Sequence, residues 1–234
     1  MASEGLLLVV GETGPGVSDQ EFNAWYNNNH TPAQLTAPGT NTAARYVAHD
    51  GEKPSWLAIY DMNTPQDAFN EPSKPLSTDA QQNEAELISK LELLDRRVCK
   101  IFHSVTSPED GTEEALKSAS PFLLVVESSV SDELHDEYNQ WYKEHLTDVV
   151  KSPGCLRGRR YRLISSTELT GKLQTEEHFQ HRYVAVYNWD SDTYYFETNQ
   201  TFNESVTPLT LAILPKIKLR MRRFKLHQDF FKSE

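Results

Sequence analysis

Residues 22–46 read FNAWYNNNHTPAQLTAPGTNTAARY, and residues 138–161 read YNQWYKEHLTDVVKSPGCLRGRRY. In both, a Trp-Tyr pair precedes a histidine, a Pro-Gly starts eight residues after that histidine, and an Arg-Tyr starts seven residues after the proline. Internal repetition outranks any single motif, because a missed repeat misreads the whole fold. His30 and His145, Pro38 and Pro153, and Arg45 and Arg160 each stand 115 residues apart. The apolar runs ahead of them match as well, LLLVV at 6–10 against FLLVV at 122–126. The sequence is read as one module duplicated and fused. The first repeat is placed at 1–107, a polar, acidic linker at 108–120 and the second repeat at 121–234.

Working outward, the run at 6–10 predicts a buried strand. Ser18-Asp-Gln-Glu21 has the capping-box pattern that starts a helix. On that helix Phe22, Tyr26 and His30 recur at every fourth residue, so the imidazole shares a face with two aromatic rings. Pro32 is expected to bend or end the helix, and Pro38-Gly39 marks a turn. Strands are predicted at 40–49 and 56–62, with Ala43, Arg45 and Val47 on one side of the former. A short helical segment follows at 65–69, then a helix at 79–94 with Leu87, Leu91 and Leu94 at helical spacing, then a strand at 97–105. The order β-α-β-β-α-β is the ferredoxin-like arrangement.

The second repeat follows the same plan, with strands at 122–128, 156–164, 182–189 and 217–226 and helices at 132–145 and around 194–205. Between its second and third strands the offset grows from 115 to 127, since Tyr60 matches Tyr187. The extra residues, near Ser166 to His178, are predicted to lengthen a hairpin loop. A four-stranded sheet with helices on one face leaves the other bare, and a second copy is the economical cover. The predicted fold class is α+β, with the two antiparallel sheets packed face to face inside one chain, which fusion favours.

Hydrophobic residues make up 38% and charged residues 24%, the balance of a soluble globular protein. The net charge of -11 argues against nucleic acid as a partner, because phosphates need a basic face. The basic stretch KIKLRMRRFK at 216–225 alternates with apolar residues and reads as a strand with one solvated face. Cys99 and Cys155 supply neither a disulfide framework nor a CxxC metal spacing, which points to a reducing compartment. The five-residue apolar run near the N-terminus is too short for a signal peptide or a membrane span. A cytoplasmic protein with no membrane partner is expected, so the Asn-x-Ser/Thr patterns at Asn199 and Asn203 carry little weight.

Trp25-Tyr26 with His30, then Pro38-Gly39, then Arg45-Tyr46, all after an apolar first strand, resemble the dimeric α+β barrel superfamily and, within it, the EthD-like proteins. The second copy, Pro153-Gly154 through Arg160-Tyr161, resembles the fungal tandem form of that family. The resemblance covers nearly the whole chain and implies a small-molecule site between helix and sheet. It leaves the chemistry open, since the superfamily holds polyketide cyclases, decarboxylases, lactone isomerases, cofactor-free monooxygenases and haem enzymes. One departure stands out: His30 follows Trp25 by five residues, whereas His145 follows Trp141 by four. The two histidines therefore need not point the same way.

His30 is the first candidate for a general base, because a neutral imidazole in an aromatic pocket removes protons at physiological pH. Tyr26 is placed to donate to an enolate oxygen and Arg45 to hold a carboxylate or phenolate, while His145 is the second candidate base. Phe22, Trp25, Tyr46, Trp141, Tyr142 and Arg160 are expected to line the substrate site. The bland alternatives are equally concrete. The histidines would hydrogen-bond a strand or a helix end, the tryptophans would be core, the tyrosines of the Arg-Tyr pairs would pack, and the arginines would pair with an acid at a sheet edge.

His49, His103, His178 and His181 are weaker candidates, the last two as parts of a lid. No converging ligand set, dinucleotide fingerprint, phosphate-binding glycine loop or nucleophile elbow is present, so neither a metal nor a bound cofactor is expected. The leading expectation is cofactor-free proton-transfer chemistry (cyclisation, isomerisation, decarboxylation or elimination) on a small aromatic or polyketide-like substrate. The alternatives are an EthD-type monooxygenase, cofactor-free or with a histidine-ligated haem, and a module that binds a hydrophobic ligand without changing it. The expected assembly is a monomeric pseudo-dimer or a homodimer.

Overall fold

The structure is a computed structural model that describes residues 3–171, 183–192, 204 and 206–231. Its first strand, β1 (Gly5–Glu12), is buried along its whole length. Helix α1 (Asp19–Trp25) starts where Ser18 accepts a hydrogen bond from the Glu21 backbone N–H. A π-helical turn, Tyr26–His30, follows and runs into α2 (Thr31–Gln34). Pro32 lies in the first turn of α2, where its missing N–H costs nothing, so the helix runs on past it rather than ending there. After β2 (Thr40–Ala48) and β3 (Trp56–Met62) come a 3₁₀ turn at Pro65–Phe69 and helix α3 (Thr78–Lys90).

Strand β4 (Leu93–Thr106) begins earlier than its sequence pattern indicates. Leu94 extends the leucine spacing of the helix, yet Leu93 and Leu94 pair with Glu12 and Gly11 of β1, and the chain turns extended at Leu91. Backbone pairing with β1 outweighs a periodicity that both structures satisfy.

The second half contains β5 (Phe122–Ser129), α4 (His135–Val150), β6 (Cys155–Gly171), β7 (Tyr183–Trp189), α5 (Pro208–Ile213) and β8 (Lys218–Asp229). Residues 166–171, expected to belong to a lengthened loop, instead prolong β6. There Ser166 donates to the Asp95 carboxylate at 2.9 Å and Thr170 to the Leu91 carbonyl at 3.4 Å, so the added chain is fixed by hydrogen bonds. The rest of that insertion, with His178 and His181, lies outside the described residues, as do Asn199, Asn203 and all but Glu204 of the helix expected around 194–205.

Hydrogen bonding orders the strands β1-β3-β2-β8-β5-β7-β6-β4 in a closed barrel. Within this ring, β4-β1-β3-β2 and β8-β5-β7-β6 share the ferredoxin-like order, with antiparallel neighbours. The chain is an α+β barrel protein of the predicted class. A bulge interrupts β2 between Thr40 and Thr42 and β6 between Cys155 and Arg157, the same place after each Pro-Gly. Gly39 and Gly154 before these bulges adopt φ of +87° and +84°, a conformation that a side chain would strain.

The chain divides into two compact units. The first comprises Met1–Lys100, Leu163–His178 and His227–Glu234, and the second Ile101–Arg162 and Phe179–Leu226. In the first, Phe22, Trp25 and Tyr26 pack on Leu7, Val9, Trp56, Ala58 and Tyr60. In the second, Tyr138, Trp141, Tyr142 and Leu146 pack on Leu124, Val126, Ala185 and Tyr187. Among the described residues, no helix is long and apolar enough to cross a membrane.

Candidate functional site

In the first unit, the π turn decides where His30 stands. The backbone N–H of Thr31 bonds to the carbonyl of Tyr26, a five-residue reach that absorbs one extra residue in the helix. The imidazole consequently lies 5.0 Å from the Trp25 ring and 4.9 Å from the Tyr26 ring. In the second unit, α4 is regular, and His145 stands 4.9 Å from Trp141 and 5.7 Å from Tyr142. The unequal spacing does not send the two histidines to different places, because the π turn compensates for it. Each leans on its own Trp-Tyr pair.

Their polar partners differ. Glu84 on α3 accepts from the Trp25 indole at 2.9 Å and lies 3.1 Å from His30 Nδ1. Burial alone would raise the Glu84 carboxyl, but the bonds from His30 and Trp25 and the His30 charge hold it below its ordinary value. In the second unit the Trp141 indole donates to the Thr210 hydroxyl at 3.0 Å. Glu84 and Thr210 are 126 residues apart, close to the offset of the third strands. One indole thus meets a carboxylate and the other a neutral hydroxyl.

Arg45 and Arg160 are buried and caged by rings. The Arg45 guanidinium lies 4.3 Å from the centre of Tyr26 and 5.2 Å from Phe22 and Trp56, and donates to Asn27 at 2.6 Å. Burial lowers its pKa, with Tyr26 and Tyr60 acting against the shift. Arg160 lies 4.2 Å from Tyr142 and 4.6 Å from each of Phe102, Tyr138 and Tyr183. Nε and Nη2 of both arginines meet no acceptor among the described residues, so the ring faces are their main company. Among the described residues, neither forms the ion pair with a sheet-edge acid that the sequence offered as an alternative.

Buried phenols sit beside each arginine. Burial raises the Tyr26 pKa well above its usual value, with the nearby Tyr60 adding to the shift, although the Tyr26 hydroxyl meets no partner in hydrogen-bond geometry among the described residues. Thr31 Oγ1 lies 3.2 Å from the Tyr60 hydroxyl. In the second unit the Tyr187 hydroxyl donates to Tyr142 at 3.3 Å, and burial raises both pKa values. Tyr138 also bonds Ser128 closely, and burial raises its pKa too.

A cavity of about 130 Å³ opens in the second unit between α4, α5 and the sheet. Trp141, Tyr142 and His145 form one wall, Tyr187, Leu124 and Val126 the floor, and Thr210, Leu214, Leu219 and Met221 much of the remainder.

The structure therefore gathers Phe22, Trp25, Tyr26, His30 and Arg45 in one cluster and Trp141, Tyr142 and His145 on one cavity wall. Arg160 stands behind Tyr142 and is not among the residues lining the cavity. Tyr46 follows Arg45 in β2, so its side chain leaves the opposite face of the strand and stands apart from the Arg45 cluster. His103 is half-buried in β4, and burial, with Lys143 and Arg160 nearby, lowers its pKa. Glu84, Tyr187 and Thr210 were not singled out as site residues. Tyr187 had a usable signal, its match with Tyr60 one strand away from the arginine, whereas Glu84 and Thr210 sit on helices whose local pattern marks no site. Among the described residues, no group of three or more His, Cys, Asp or Glu is placed to hold a metal ion.

Comparison with known proteins agrees with the architecture. An anthrone oxidase-like protein superposes with a TM-score of 0.59 at 11% identity, covering 100% of this chain and 95% of that one. A candidate monooxygenase of Fusobacterium nucleatum gives 0.62 at 10% identity, covering 99% and 96%. A candidate monooxygenase of Lactobacillus acidophilus gives 0.55 at 9% identity, covering 98% and 100%. A search of curated proteins by sequence finds no match. One family model, a domain of unknown function (DUF4286), matches residues 122–208. At such low identity the solved structures show a shared fold, the dimeric α+β barrel, here carried by one chain.

Proposed function

We propose that the chain is a small-molecule enzyme of the monooxygenase-like kind, related to the EthD-like branch of this fold, acting on a flat aromatic substrate in the second-unit cavity. The observation that carries this reading is an apolar cavity with an imidazole, His145, on its aromatic wall. His145 takes the proton from an acidic ring carbon or phenol, and the resulting electron-rich anion reacts directly with dioxygen. For a ring CH₂ the balance is one O₂ consumed, one oxygen atom retained as a carbonyl and the other released as water. The likeness to an anthrone oxidase-like protein recommends anthrones as first substrates. The proton-transfer reactions expected from the sequence would use the same base without oxygen.

An imidazole would suit a haem iron, but the described lining offers no lysine or arginine for haem propionates. Two free, buried cysteines, Cys99 and Cys155, suit a reducing cytoplasm.

The test is anthrone turnover in air and under argon, followed by absorbance and oxygen uptake, for wild type and His145→Ala. The reading expects oxygen-dependent turnover that falls at least about 100-fold in the variant, the scale of a lost general base. Turnover of equal rate under argon would replace oxygenation by proton transfer alone. An unaffected His145→Ala would overturn the site.

A further inference from the structure

We propose that Tyr142 and Tyr187 form an oxyanion-receiving pair in the second-unit cavity, selecting a neutral planar phenol or aryl ketone whose oxygen takes on charge as His145 removes a proton. This rests on the reading of that cavity as the active site and adds the substrate class and a second catalytic group.

Hydrogen-bond accounting carries the argument. The cavity lining is apolar except for His145, the two tyrosines, Trp141 and Thr210. The Trp141 N–H is already given to Thr210, and Thr210 Oγ1 also lies 3.2 Å from Thr207 Oγ1. The tyrosines hold two hydroxyl protons between them, and their mutual bond at 3.3 Å uses one. Whichever hydroxyl donates in that bond, one O–H is left for a ligand. Burial keeps both phenols protonated at neutral pH, so the pair is a donor rather than a base.

The Arg160 guanidinium, 4.2 Å from the Tyr142 ring centre, favours negative charge building towards that phenol oxygen, which strengthens it as a donor to an anion. Arg160 touches the ring and not the cavity, so it is a positioning residue here. The described lining contains no lysine or arginine, so a ligand carrying its own carboxylate or phosphate would be buried without a partner. A neutral ligand that becomes anionic only when His145 accepts its proton meets no such penalty.

The first unit places Tyr26, Tyr60 and Arg45 at the corresponding positions, but there Thr31 Oγ1 sits against the Tyr60 hydroxyl and the Tyr26 hydroxyl meets no partner among the described residues, so the two phenols are not joined as Tyr142 and Tyr187 are. The position 115 residues on is Leu146, so the second pair has no third hydroxyl beside it from that site.

The experiment uses 4-nitrophenol, whose phenolate absorbs in the visible, titrated into the full chain between pH 5 and 8. The absorbance gives both the affinity and the ionised fraction of bound probe, its proton passing to His145. Wild type is expected to bind saturably and to hold the probe more ionised than in free solution. Tyr142→Phe is expected to bind within about threefold but to lower the ionisation constant of bound probe about tenfold. Tyr187→Phe, which leaves Tyr142 in place, is expected to lower it about threefold. Unchanged ionisation in both variants, with binding retained, overturns the tyrosine pair and leaves the cavity reading intact. The absence of saturable binding by wild type overturns the cavity reading itself.

Discussion

Replacing Glu84 tests the first-unit cluster without any substrate. The carboxylate accepts from Trp25 at 2.9 Å and lies 3.1 Å from His30 Nδ1, with 24% of its own side chain and 28% of that of His30 exposed. A hydrogen bond to a charged group contributes about 1.5–3 kcal/mol when fully buried, and partial exposure screens it. We therefore take about 1 kcal/mol for each bond and expect Glu84→Ala to cost about 2 kcal/mol at pH 7. For a chain of this size that lowers Tm by about 4–8 °C. Glu84→Gln keeps a neutral acceptor and should cost about half as much.

The pH dependence gives the sharper check. The folded pKa of Glu84 lies below its ordinary 4.5, so its stabilising effect is fully present above that value and is lost as pH falls through the folded value. The gap between wild type and Glu84→Gln, measured by urea unfolding followed by tryptophan fluorescence, should shrink between pH 5, where Glu84 is still ionised, and pH 3. A gap that widens below pH 5, or a Glu84→Ala cost under about 0.5 kcal/mol at pH 7, would refute the reasoning.

Two further outcomes follow from the geometry. Deleting the exposed Asn28 gives the first unit the Trp-to-His spacing of the second; the π turn should become α-helical, with stability within about 1 kcal/mol of wild type and His30 still shielded by the Trp25 ring in proton NMR. Gly158→Ala would put a Cβ 2.9 Å from Leu146 and Val150 and 3.2 Å from Tyr187, so it should cost about 1–3 kcal/mol in denaturant unfolding and weaken 4-nitrophenol binding by displacing Tyr187.

Much of the fold is legible because local signals and tertiary demands agree. The apolar run at 6–10 becomes β1, the stretch 56–62 becomes β3 residue for residue, and each Pro-Gly supplies the positive-φ turn before a bulged strand. The misread places are those where two structures satisfy one pattern. Leu94 fits the helical leucine spacing and also a strand, and pairing with Gly11 decides. The residues after Ser166 read as a lengthened loop because the second repeat has extra chain there, yet β6 runs on to Gly171. The candidate site is legible only in part: the Trp-Tyr-His motif lies within one helix and shows in the sequence, while the cavity also takes residues from β5, β7, α5 and β8. No linear spacing encodes that convergence.

The comparison of the two halves also separates what holds a histidine from what employs it. Both imidazoles rest on a Trp-Tyr pair behind which an arginine is caged, so that scaffold alone cannot distinguish a catalytic histidine from a packed one. The difference lies in the next shell of contacts. Around His30, a carboxylate holds Nδ1 and a threonine stands against the Tyr60 hydroxyl, while the Tyr26 hydroxyl, without a partner among the described residues, is packed inside the aromatic cluster. Around His145, the indole is satisfied by Thr210, and Tyr142 and Tyr187, whose mutual bond uses one of their two hydroxyl protons, line an apolar cavity. Buried polar groups are normally partnered, and an available donor on a cavity wall marks where a ligand completes the set. On that ground the second unit, rather than the first histidine in the chain, is where chemistry should be sought first.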